Sequence, residues 1–315
     1  MENNVCLVII FNHRYDKNLP LLRKIYGERF SNIRFLMPFY DGSDSDVIPV
    51  YESSWQFQGY LIQAYENLKD IPCSHYLFIG DDLIIKPDFN EKNFVDMTNM
   101  QDKKFLCRHL MPLNGPNRFK WWWTIDSSKP FYIGGAKSYG SSLYSYGEAM
   151  TKFNDFFGVK YKETYDEAFF GDPNVPGRNL WYTWNNAEEF SHVVEEFKKT
   201  NRNSLKIPYP MAFGGGNGDI FCIRKDNLFE FSRLCGIFSA MNMFVEIAIP
   251  TAAVLMFKRD EVEFFPREVL RFFWSGNDRK AFAEKYDLDF NRLYSEWDEK
   301  IFGIHPVKLS GWKNI

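Results

Sequence analysis

Apolar runs alternate with helical faces over the first hundred residues. Val5–Phe11 is an unbroken apolar run, which predicts a strand buried on both faces of a parallel sheet. Leu19–Tyr26 has helical spacing, Ile33–Pro38 reads as a second strand, and Val47–Tyr51 as a short third one. Trp55, Tyr60, Leu61, Ala64, Tyr65 and Leu68 fall on one helical face, and Tyr76–Ile79 closes the series as another strand. Such alternation implies right-handed crossovers and a Rossmann-type, mostly parallel twisted sheet with helices on both faces. Ligands of doubly wound sheets bind beyond the carboxyl ends of the strands.

Residues 101–210 are less regular and read as insertions and loops. They hold Trp121, Trp122 and Trp123, a Gly/Ser/Tyr-rich stretch from Gly134 to Gly147, and an expected surface helix over Ala187–Lys199. Residues 211–315 form an elaborated C-terminal half. A glycine turn (Gly214 to Gly218) leads to an expected strand, Asp219–Arg224. Asp226 is expected to cap a helix whose face is Leu228, Phe229, Phe231 and Leu234. Ile237–Phe257 is the most apolar stretch, Glu261–Phe265 reads as a strand, and helices are expected over Arg279–Tyr286 and Phe290–Lys300. No linker interrupts 1–315, so one domain is expected.

Composition narrows the classes. A chain of 315 residues with 45% hydrophobic and 25% charged residues is an ordinary globule with a sizeable core. Its formal charge of −3 gives no basic field for nucleic acid, and no nucleic-acid partner is expected. The aromatic share of 18% suits a site that stacks flat rings or sugar faces, although most such rings must fill the core. Five cysteines show no metal-ligand spacing and point to a reducing, cytoplasmic setting. The first apolar run is too short for an anchor. Ile237–Phe257 is long enough to span a bilayer but contains Asn242, Glu246 and Pro250. A mid-span carboxylate costs about 2.5–3.5 kcal/mol, so a buried helix is favoured, while peripheral membrane attachment stays open.

The candidate chemistry centres on "YLFIGDDLIIKP". Asp81 and Asp82 at the end of a buried strand offer hard oxygen ligands to Mg2+ or Mn2+. Neighbouring side chains of an extended segment point apart, so the two carboxylates are expected to play different roles. A solvated surface turn is the plainer reading. Far along the chain, His305 can complete a manganese shell, and Lys308 can neutralise a diphosphate. Glu246, in the most apolar stretch, is either paired with a cation or is a base with a raised pKa. The glycine run around Gly215 can bring backbone amides to a ligand or simply turn a hairpin. No phosphate-loop pattern, nucleophile elbow or HExxH motif occurs.

In this order the pieces resemble the GT-A class of nucleotide-sugar glycosyltransferases. "VCLVIIFNHR" looks like its first strand and nucleotide-binding turn, "YLFIGDD" like the strand ending in its DxD motif. "GGGNGDIFCIRK" with "MFVEIAIPTAAV" resembles the acceptor-side strand and the helix with an acidic catalytic residue. "IHPVK" resembles the C-terminal histidine segment. The resemblance implies a GT-A-like fold, with 1–100 as its nucleotide-binding half and 211–315 as its acceptor side. It implies a divalent-metal-assisted transfer from a nucleoside-diphosphate sugar, UDP-linked above all, to a carbohydrate acceptor. Phe11, Asn12, Asp81, Gly215 and Lys308 would meet the nucleotide, Asp82 and His305 the metal, and Glu246 would be the base of an inverting reaction, with a retaining outcome open. The motif departs from DxD at Gly80, which favours as the rival a non-catalytic GT-A-like protein that binds nucleotide or glycan. Other readings fare worse. A polymerase palm needs a second Asp-bearing strand and a basic channel, and a sugar-phosphate nucleotidyltransferase needs a glycine-rich loop where "FNHRYDK" has none.

Overall fold

The computed structural model describes residues 4–113, 139–161, 164–165, 205–206 and 209–315. The tryptophan run at Trp121–Trp123 and the helix expected at Ala187–Lys199 lie outside the described residues.

The architecture is mixed α/β. The strands are β1 (Val5–Ile10), β2 (Asn32–Pro38), β3 (Val47–Val50), β4 (His75–Gly80), β5 (Ile84–Ile85), β6 (Phe105–Cys107) and β7 (Met111–Pro112), then β8 (Thr164–Tyr165) and β9 (Leu205–Lys206). After them come β10 (Ala212–Phe213), β11 (Ile220–Arg224), β12 (Val262–Phe264), β13 (Leu270–Phe272) and β14 (Gly303–His305). Among the described residues the helices are α1 (Asn18–Tyr26), α2 (Gln58–Leu68), α3 (Phe94–Thr98), α4 (Tyr146–Phe157), α5 (Leu228–Ala240), α6 (Val245–Met256), α7 (Gly276–Lys285) and α8 (Phe290–Ser295). A seven-stranded sheet runs β12-β6-β11-β4-β1-β2-β3. Its β4-β1-β2-β3 half is parallel throughout, and β11 is the one strand running against its neighbours β4 and β6.

The alternation of β1 explains the layering. Cys6, Val8 and Ile10 face one core, which they share with Tyr60, Leu61 and Ala64 of α2, Leu234 and Phe238 of α5, and the apolar body of α6. Val5, Leu7 and Ile9 face the other, with Leu22 and Ile25 of α1 and Leu293 of α8. All six residues of β1 are buried because both faces are covered. An unbroken apolar run was the correct signal for this strand.

Four expectations change, the first being that the helix expected over Phe290–Lys300 stops at Ser295. Ile237–Phe257 is two helices, α5 and α6, separated at Met241–Phe244, where Asn242 takes the left-handed conformation (φ +57°). No helix among the described residues is long and apolar enough to cross a membrane. Asp226 makes no cap for α5; it pairs with Arg224 at 3.2 Å. Phe229, expected on the buried face, is largely exposed and touches Tyr65 (ring centroids 5.1 Å). The five cysteines are free thiols, and four of them are buried.

His75 opens β4 in a buried position beside Phe94, with no hydrogen-bond partner for Nε2. Burial, then the charge of Arg224, holds its pKa down to about 4, below the ordinary 6.5. The unfolded chain therefore binds the extra proton first as pH falls. Stability present above about pH 6.5 is expected to drop on the way to about pH 4, by up to about 3 kcal/mol from this group. Urea melts of wild type and His75→Gln at several pH values check this; the variant should lose part of the acid dependence.

Candidate functional site

The carboxyl end of β4 is built into a corner. Gly80 ends the strand beside Ile10 of β1, and the Asp81 amide donates to the Ile10 carbonyl (2.9 Å). On the other side the Gly80 amide donates to the Asp219 carbonyl (2.9 Å), just before β11 begins. The next residues leave the large sheet. β5 pairs with β14 and not with β4, so Gly80-Asp81-Asp82 is not the tip of a two-strand hairpin. Tyr26 at the end of α1 fixes this exit: its hydroxyl donates to the Leu83 carbonyl (3.2 Å) and accepts from the Ile85 amide (3.3 Å).

β14 carries His305 to the corner. It pairs antiparallel with β5 and parallel with β13, and the Val307 amide donates to the Asp82 carbonyl (2.7 Å). His305 Nε2 consequently lies 3.1 Å from Asp82 Oδ1 and 3.5 Å from Asp219 Oδ1. Lys308 Nζ donates to Asp82 Oδ2, joining residues 226 positions apart. Three of the sequence candidates, Asp82, His305 and Lys308, thus meet.

The two aspartates diverge, as extended neighbours should. Asp81 turns toward β1 and α1, where Asn18 Nδ2 donates to its Oδ2 (3.3 Å) while Asn18 Oδ1 stays buried and unpartnered. Burial, reinforced by the charge of Asp82, pushes Asp81 up to about 7. Burial acts to raise Asp82 too, but His305 and Lys308 outweigh it and hold that carboxyl below the usual range. Burial would depress His305; Asp219 and Asp82 overcome it and bring the imidazole to about 9. Asp219 is itself raised, first by burial.

Glu246 stands in the first turn of α6, on the β11 side of the corner. Its Oε1 accepts from the Gly216 amide (3.1 Å), and its Oε2 is sealed from solvent without a partner. Burial and then the Asp219 charge push its pKa up to about 8. The charge of Arg108 works the other way and lowers the value, but burial and Asp219 outweigh it. Pro250 sits inside the same helix. It has no amide to offer the carbonyl four residues earlier, and that Glu246 carbonyl accepts from the Gly214 amide instead (3.1 Å). The helix-breaking residue thereby ties the glycine turn to Glu246.

Within the turn, Asn217 is fully buried; its Oδ1 accepts from the Arg108 amide (2.9 Å) and its Nδ2 donates to the His109 carbonyl (2.6 Å). The Gly215 carbonyl accepts from Arg108 Nη1 (2.9 Å). Gly216 has φ +78°, and a Cβ there would sit 2.8 Å from the Phe272 ring. Gly216→Ala is expected to destabilise the protein by about 1–3 kcal/mol, read as a fall in the urea midpoint.

Other candidates are placed differently. The Phe11 ring is wholly buried in the core against Phe35 (ring centroids 6.2 Å), so it presents no face to a ligand. Asn12 is exposed at the same strand end, and its amide helps to lower Asp81.

Two features escaped the sequence. The sequence marks Asp219 as the first residue of a strand and part of the glycine turn, but not as a partner of the corner, where it stands across from Gly80 and faces His305. Phe39, just past β2, has φ +53° and is 61% exposed, edge-on to the exposed Tyr51 just past β3 (ring centroids 5.9 Å). A bulky residue held at positive φ with its ring in water is strained without a packing reward. No hydrophobic pattern signals it, because only backbone geometry makes it unusual.

Asp82 offers carboxylate oxygen to a cation, His305 would offer imidazole nitrogen on giving up its proton, and the buried Asp82 Oδ1 has no hydrogen bond with good geometry. Among the described residues no group of three or more His, Cys, Asp or Glu side chains is disposed to hold a metal by itself. Protein-family models give no match to this chain, and no curated protein sequence is detectably similar to it.

Proposed function

We propose that the protein is a glycosyltransferase of GT-A type, which moves a sugar from a nucleoside-diphosphate donor, UDP-linked above all, to a hydroxyl of a carbohydrate acceptor. The observation that carries this reading is the meeting of Asp82, His305 and Lys308 at the carboxyl end of the parallel strands. A strand end with a buried carboxylate, an imidazole and a flexible ammonium suits a diphosphate and its counter-cation better than it suits an apolar ligand. Few protein ligands are needed, since Mg2+ or Mn2+ beside phosphates usually takes one or two carboxylates and fills its shell from substrate and water. Asp82 and His305 would hold that ion, which, when bound, stabilises the departing diphosphate as a Lewis acid.

The rest of the chemistry belongs to the side chains. Lys308 places a positive charge on the departing diphosphate. Asp81, with Asn12 and Asn18, faces the β1 side, where a ribose would lie; Phe39 and Tyr51 offer ring surfaces farther along the same strand ends for the base. Glu246 takes the proton of the acceptor hydroxyl as the new carbon–oxygen bond forms and the bond from the sugar to the diphosphate breaks. Its burial and the nearby Asp219 favour the proton-accepting task by raising its basicity. The acidic residue missing at Gly80 has a counterpart in Asp219, directly across the strand pair.

Calorimetry with UDP, with and without Mn2+, tests the reading. Binding that strengthens with Mn2+ is expected. No binding of any nucleoside diphosphate under either condition would sink it. UDP binding with no transfer to any acceptor would favour the non-catalytic binding protein instead.

A further inference from the structure

On the β11 side of the corner, aromatic rings continue the site outward. Phe272 is the residue paired with His305 in the small sheet, and Trp274 lies two residues on. The Trp274 indole stacks on Phe272 with ring centroids 5.4 Å apart and planes 19° from parallel. The Arg108 guanidinium lies over the same Phe272 ring at 4.3 Å. His305 meets both rings, Phe272 at 5.2 Å and Trp274 edge-on at 6.3 Å. Gly216 closes the arrangement from below, since only a residue without Cβ leaves room for the Phe272 ring.

Trp274 is nevertheless 62% exposed, the only tryptophan among the large hydrophobic residues that the described structure leaves in water. An indole held this firmly gains little from burial, so its orientation serves something else. The indole meets an imidazole at its edge, the Phe272 ring that backs it also carries a guanidinium, and Asp219 lies 3.5 Å from that imidazole. A pyranose has the matching chemistry. Its C–H face suits the negative face of an indole, and its hydroxyls lie at the ring edge, where polar side chains can reach them.

We infer that Trp274, backed by Phe272 and Arg108, is the platform on which a pyranose ring of the acceptor stacks. This rests on the transferase reading for the word acceptor, because the platform lies on the Glu246 side of β4 and not on the β1 side of Asp81. The indole sets which ring face is presented and how far the reacting hydroxyl sits from Glu246. Trp274 is a binding residue in this role and takes no part in bond making.

The test measures binding of neutral hexopyranose oligosaccharides on a glycan array and by saturation-transfer NMR, with UDP and Mn2+ present. It compares wild type, Trp274→Ala and Trp274→Phe, with UDP affinity followed separately by calorimetry. The expected result is a loss of about tenfold or more in saccharide affinity for Trp274→Ala, with Trp274→Phe between the two and UDP affinity unchanged. Equal saccharide binding by Trp274→Ala and wild type would overturn the platform, and so would a wild type that binds UDP but none of the saccharides. If saccharides bind through Trp274 while no nucleotide binds, the platform stands as a carbohydrate site and the transferase reading falls. If neither binds, both fall. Because the indole is largely in water, the alanine variant should stay folded, read by its cooperative melt.

Discussion

Asp82→Asn is expected to weaken Mn2+-dependent binding of UDP by about 100-fold, with metal-independent binding changed far less. The asparagine keeps the size of the side chain but removes the charge that His305 and Lys308 share. In the folded protein, one Asp82 oxygen faces His305 at 3.1 Å and the other accepts from Lys308. Without the carboxylate, a divalent cation loses its hardest oxygen ligand, and two positive groups are left facing each other. The second consequence separates site from scaffold. The Val307 amide still finds the Asp82 carbonyl, so β14 should stay paired with β5 and the variant should fold. Calorimetry with and without Mn2+ reads the effect. Unchanged Mn2+ linkage in a folded Asp82→Asn protein would remove Asp82 from the metal site.

The second large effect concerns Glu246. Glu246→Gln should lower transfer by about 100-fold to 10,000-fold while leaving UDP affinity alone. Glutamine is the informative replacement because an amide oxygen can still accept from the Gly216 backbone, as Glu246 Oε1 does at 3.1 Å. What disappears is the ability of the carboxylate to take a proton. In wild type the rate should rise with pH as Glu246 ionises, toward its raised value of about 8, since only the carboxylate accepts the acceptor proton. That limb should vanish from the pH–rate profile of the variant. Transfer at the wild-type rate in Glu246→Gln would make the residue a brace for the glycine turn and nothing more.

The two residues also show how differently a site can announce itself. Asp82 follows a run of buried apolar residues, and a carboxylate in that position is conspicuous in any sequence. Glu246 was conspicuous too, as a charge in an apolar stretch, but its surroundings were misjudged. Read as mid-span in a 237–257 segment, it proves to open a helix after a break at Met241–Phe244. Apolar content cannot reveal that break, because the residues around it are as hydrophobic as the helices. Asn242 in the left-handed region marks it, and asparagine was the one local cue available.

The sequence by itself determined the parallel half of the sheet, the position of Asp81 and Asp82 at a strand end, and their divergence. These follow from local rules: an unbroken apolar run must be covered on both faces, and adjacent extended residues point apart. Tertiary structure alone decided which distant groups share the corner. The pairing of β14 with β5 delivers His305 and Lys308 to Asp82; the reversed strand β11 sets Asp219 across from Gly80. It also left Trp274 stacked but in water. The strands that deliver His305 and Lys308, β5 and β14, are only two and three residues long, and so few side chains leave no periodicity to read. Their partners are chosen by where the rest of the chain has already folded, which is information that no local pattern holds.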